Sequence, residues 1–88
     1  MDDLMTKVDT ILREAYPGAE VTLSWPEDEG EDGKLLGIVV GEQFDGHDHF
    51  ERQQMLWKVL RRKLTRAEQV RISAIFAETP AEKAALEQ

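Results

Sequence analysis

Residues 34–63 read KLLGIVVGEQFDGHDHFERQQMLWKVLRRK. Lys34–Gly41 is almost continuously apolar, the pattern of a central strand covered on both sides. Gln43–His49 turns around Asp45-Gly46. A helix follows from about Asp48 to Lys63, because Asp48 and Glu51 have the spacing of a capping box. Phe50, Leu56, Trp57, Leu60 and Leu64 supply its buried stripe, which Met55 and Val59 widen. The next apolar run, Val70–Phe76, places Val70, Ile72, Ala74 and Phe76 on one face of another strand. Two strands joined through a helix run parallel, with a right-handed crossover.

Upstream, Leu4, Met5, Val8, Ile11, Leu12 and Ala15 form an amphipathic helical stripe, with Asp2 or Asp3 as cap and Pro17-Gly18 as stop. Ala19–Trp25 alternates, with Val21, Leu23 and Trp25 on the buried side of a strand. Pro26–Gly33, PEDEGEDG, has no apolar residue and reads as a mobile loop closing an antiparallel hairpin. Downstream of the long helix, Thr65–Gln69 reads as a link. Thr79-Pro80-Ala81-Glu82 starts a last short helix, with Thr as cap, Pro at the first helical position and Glu two residues later, and that helix frays at Leu86–Gln88. The order α-β-β-α-β-α defines an α+β fold: a three-stranded mixed sheet with helices packed on one face, in a single domain over residues 1–88.

A chain of 88 residues buries roughly 60–65% of its unfolded surface, which leaves one modest core and little room for a deep catalytic pocket. With no cysteine, disulfides, thiolate metal sites and cysteine nucleophiles are excluded. The start, Met-Asp-Asp-Leu, has neither the basic nor the apolar region of a signal peptide, and no apolar run approaches the ~20 residues of a membrane span; the expectation is a cytoplasmic protein with no membrane partner. The net charge is −7, unevenly spread. Glu27, Asp28, Glu29, Glu31 and Asp32 crowd the loop at 26–33, while six of the eleven Lys/Arg fall between Arg52 and Arg66. Local fields of this kind decide which partner approaches which face.

Several constellations carry chemistry on paper. His47-Asp48-His49 offers imidazoles at i, i+2, which converge poorly on a metal and read more simply as a turn and helix cap. The acidic loop lacks the alternating ligands and distal Glu of a calcium-binding loop. Trp25 and Trp57 fall on apolar stripes and read as core. Ser24 and Thr22 have no triad neighbours. The basic run is more informative. Lys58, Arg61, Arg62 and Arg66 share a helix face beside Leu56, Leu60 and Leu64, a strip suited to phosphates or to an acidic partner, and equally to the dipole at a helix C-terminus. Without a Gly-x-x-Gly loop or an aromatic platform, any nucleic-acid binding by this strip is expected to be weak and salt-sensitive.

Phe44-Asp45-Gly46 followed by Arg52 resembles the core signature of the BolA family, a relative of the type II KH fold: Phe-x-Gly after the second strand, then Arg eight residues beyond the Phe. Met55-Leu56-Trp57, Leu60, Leu64, Val70, Ala74 and Thr79-Pro80-Ala81-Glu82 fit the positions that follow, so the resemblance spans about Leu4 to Glu82. It implies a non-enzymatic, stress-linked adaptor or transcription regulator that pairs with a monothiol glutaredoxin. A [2Fe–2S] cluster would be shared through a His early in the third strand and a second His or Cys from the first loop. Here Arg71 occupies the matching position and the loop offers only carboxylates. Such clusters take Cys or His, and a guanidinium cannot ligate iron. The expectation is therefore a chain with no cofactor of its own, binding a protein through the third strand and the end of the long helix, with Arg71, Arg52 and Phe76 at the contact. The alternative is a weak nucleic-acid-binding regulator using Lys58, Arg61, Arg62 and Arg66.

Overall fold

The expected parallel pairing of the two strands joined by the long helix is present in the computed structural model, which describes residues 4–25 and 34–86. The caps proposed at Asp2 and Asp3, the acidic loop at 26–33 and the last two residues lie outside that range. The elements are α1 (Leu4–Ala15), β1 (Glu20–Ser24), β2 (Leu35–Val40), a 3-10 turn (Glu42–Phe44), α2 (His49–Lys63), α3 (Arg66–Gln69), β3 (Ile72–Glu78) and α4 (Pro80–Leu86).

The strand order is β1-β2-β3, with β1 antiparallel and β3 parallel to β2. Strand alternation divides the sheet into two faces. Val21, Leu35, Val39, Ile75 and Ala77 point to the helices and are buried with Val8 and Leu12 of α1 and Leu56 and Leu60 of α2. Gly37 also lies on this face, opposite Leu23. A Cβ there would stand 2.6 Å from Leu23 Cδ2, so the absent side chain makes space for that leucine. Phe44 is fully buried, its ring centroid 4.9 Å from that of Tyr16. Burial raises the Tyr16 phenol above its ordinary pKa. Gly46, two residues on from Phe44, has φ of +83°, a left-handed conformation that favours glycine and turns the chain into α2.

Both expected capping boxes form. Asp48 Oδ1 accepts from the Glu51 amide at 2.8 Å, while Glu51 Oε1 accepts from the Asp48 amide at 2.9 Å. Thr79 and Glu82 make the same exchange at α4.

Three readings need correction. The link at Thr65–Gln69 is a helical turn, α3, because Thr65 and Glu68 form a third capping box. The third strand begins at Ile72, two residues later than expected, with Val70 as the C-cap of α3 and 61% exposed. Leu35 pairs with Ile72 but Leu36 with Ala74, so Ser73 is an extra residue. One inserted residue reverses every side chain after it. Ile72, Ile75 and Ala77 therefore face the core, while Ala74 and Phe76 face the opposite side. Phe50, placed in the buried stripe of α2, is 70% exposed. At ~100° per residue it lies about 120° around the helix from Leu56. Arg52, which does fall on the stripe, is buried instead.

Candidate functional site

Arg52 was expected at a partner contact. Its residue is only 5% exposed, and its guanidinium is occupied inside the protein. Nε donates to the carbonyls of His47 at 2.8 Å and Phe44 at 3.2 Å. Nη1 donates to the Ala77 carbonyl at 3.3 Å and to Glu82 Oε1 at 2.7 Å, and Nη2 to Glu82 Oε2 at 3.1 Å. One side chain thus ties the turn before α2, the end of β3 and α4 together, and Arg52 is a brace beneath the surface. The Arg52 hydrogen bonds, followed by the amide of Thr79, hold the Glu82 carboxyl down at about 2. The same pairing raises the Arg52 guanidinium further above its ordinary value.

The outer edge of β3 is also engaged by α2. Gln53 Nε2 donates to the Ile75 carbonyl at 2.7 Å, and Arg52 reaches the Ala77 carbonyl two residues on. An edge strand whose free acceptors are met by side chains is a poor template for another strand. β3 therefore offers its outward side chains more readily than the Ile75 and Ala77 carbonyls at its edge.

Those side chains form an apolar patch. Phe76 lies directly opposite Ile38 on β2, and the two are 54% and 41% exposed on the sheet face away from α1 and α2. Ala74 and Leu36, the next pair on that face, extend it. Ile38 was not singled out in the sequence, because its strand reads as covered on both sides.

Arg71 precedes β3 and is exposed, with its guanidinium carbon 5.3 Å from the centroid of the Trp25 ring, a cation–π geometry. Trp25 and Trp57 sit at the margin of the core, half-buried against it. A guanidinium held against an indole is a donor with no lone pair to give, so position 71 does not fit an iron–sulfur ligand. At the other end of the sheet, His47 Nδ1 lies 3.7 Å from Glu51 Oε1, and His49 lines a shallow depression with Glu78, Glu82, Ala85 and Leu86. Among the described residues, no three His, Asp or Glu side chains converge as metal ligands. Ser24 and Thr22 lie exposed on β1.

Of the expected basic strip, Lys58, Arg61 and Arg62 come together, lining a shallow groove with Gln54 on the outer side of α2. Arg66 does not continue the strip by helical spacing. The chain leaves the helix at Leu64, whose φ and ψ of −107° and 145° are extended, and Arg66 opens α3.

No family model matches the sequence, and no curated protein matches it. Among solved structures, the fold is similar to that of a Bol-like protein from Babesia bovis, with a TM-score of 0.68. The match covers 94% of this chain and 92% of that one at 21% identity, which shows a shared fold. The chain therefore has the BolA-like fold that its motifs implied. No helix among the described residues is long and apolar enough to cross a membrane.

Proposed function

We propose that this chain is a BolA-like adaptor without catalytic activity of its own, binding a protein partner of the monothiol glutaredoxin type in the cytoplasm. The observation that carries this reading is the exposed pair Phe76 and Ile38 on the sheet face turned away from α1 and α2. Burying apolar surface of this kind is worth about 25 cal/mol per Å², so a patch left open in the free protein is a natural binding surface. Val70 and Arg71, at the approach to β3, extend the contact toward the end of α2. Arg52 supports that surface from beneath.

The chemistry of Arg71 argues against a cluster ligand from this chain at that position. The partnership proposed is therefore protein–protein, and cluster assembly is no part of it. The test mixes the protein with a monothiol glutaredoxin, iron and sulfide under anaerobic conditions and follows the heterodimer by size-exclusion chromatography with visible absorbance. A heterodimer that lacks its own cluster spectrum, and that weakens in Phe76→Asp, supports the reading. Absence of any heterodimer refutes the partnership, and a cluster-coloured heterodimer refutes the ligand argument.

A further inference from the structure

The eleven Lys and Arg residues divide sharply by partner. Lys7 pairs with Glu68, Arg13 with Asp9, Arg52 with Glu82 and Lys83 with Glu20, and Lys34 and Arg71 are likewise engaged. Among the described residues, Lys58, Arg61, Arg62, Lys63 and Arg66 make neither an ion pair nor a side-chain hydrogen bond. In a chain of net charge −7 with eighteen acids, unpaired cations this concentrated are not forced by a shortage of carboxylates. The helix dipole accounts for cations in the last turn of α2, where Arg61, Arg62 and Lys63 lie, but not for Lys58 one turn earlier.

We infer that the outer face of the second half of α2, formed by Lys58, Arg61 and Arg62 beside Gln54, is a docking surface for a short acidic segment of a partner protein. Three adjacent like charges repel one another, and an incoming carboxylate cluster relieves that repulsion while each guanidinium donates a bidentate pair of hydrogen bonds to a carboxylate. From Gln54 to Arg62 the face is about 12 Å long at 1.5 Å per residue, which matches a few residues of extended chain. Its length and setting favour a peptide over a nucleic acid. A duplex carries a charge about every 1.7 Å and runs far past the strip. Along α2 it would meet Asp48 and Glu51, both exposed at the opposite end of the same helix.

This face lies on the helical layer, and Phe76 and Ile38 lie on the other side of the sheet. The two surfaces can be occupied together, and the acidic-segment site stands whether or not a glutaredoxin binds.

The test is fluorescence anisotropy of a labelled Asp/Glu peptide titrated with the full chain at about 50 mM salt, where charge contacts are weakly screened. Amide NMR shifts map the contact. The peptide is expected to move the signals of residues 54–62. Arg61→Glu/Arg62→Glu is expected to weaken binding about tenfold or more, whereas Lys63→Glu/Arg66→Glu, an equal charge change off this face, costs about twofold. Equal losses in the two variants overturn the site in favour of net charge alone. So does an absence of binding at low salt. Tighter binding of a duplex through the same residues overturns the choice of partner. Binding that emerges only after Glu27, Asp28, Glu29, Glu31 and Asp32 are neutralised overturns it as well, since the chain's own acids would then be the occupant.

Discussion

Replacing Arg52 by Met separates a brace from a partner contact. The thioether chain occupies the volume of the arginine stem but donates nothing. Three carbonyls lose a donor: Phe44, His47 and Ala77. The Phe44 carbonyl keeps the amide of His47 at 3.2 Å, and His47 is exposed enough for water to replace the lost bond. Ala77 is 3% exposed, so its carbonyl is the costly one. An unsatisfied buried acceptor costs about 1–3 kcal/mol and each replaceable bond about 0.5–1 kcal/mol, which together give about 2–4 kcal/mol. For a domain of this size each kcal/mol moves Tm by about 4–8 °C, so the expected fall is about 8–32 °C. Thermal melts by circular dichroism at neutral pH measure it, with Arg61→Met as the exposed control, expected to stay within about 0.5 kcal/mol of wild type. If Arg52→Met melts with the control, the guanidinium is not holding the turn, β3 and α4 together, and the brace assignment fails.

Glu82 ties part of that brace to pH. Its folded pKa of about 2 lies below the ordinary 4.5, so its contribution is complete above the ordinary value and is lost as pH falls from there toward 2. Melts followed downward from about pH 6 should therefore show wild type losing Tm over that interval faster than Glu82→Gln. Thr65→Ala removes the side-chain acceptor for the Glu68 amide and should cost about 1 kcal/mol in urea unfolding, whereas a structureless link would show no loss. Phe76→Ser with Ile38→Ser should cost about 1–2 kcal/mol of stability, since each side chain is about half-buried in a cross-strand pair, and should reduce glutaredoxin affinity by at least about tenfold in calorimetry on the folded variant.

The crossover, the two strongest capping boxes and the core of α1 and α2 were legible because each is encoded locally, by apolar spacing or by a Thr/Asp-x-x-Glu pair. The face of β3 was not. Val70, Ile72, Ala74 and Phe76 alternate perfectly in sequence, but the pairing of Leu36 with Ala74 leaves Ser73 over and sends Phe76 outward. A bulge is a property of two strands together, so alternation within one strand does not reveal it. The α3 turn was different: Thr65-x-x-Glu68 carries the same signature as the two helices that were read correctly. Arg52 shows a further limit. The family signature drew attention to it as a contact, whereas its position four residues before Leu56 sets it on the buried side of α2, where the structure places it. Ile38 escaped notice because a central strand's apolar run looks the same whether one face or both are covered.

The outward side of β3, with Phe76 beside Ile38 of β2, is the proposed contact for a monothiol glutaredoxin. Titrating the isotope-labelled chain with unlabelled monothiol glutaredoxin, and following the backbone amides by NMR, locates that contact. The largest shifts are expected at Val70–Phe76 and around Ile38. Shifts absent throughout, or confined to α1 and the outer face of α2, would contradict it.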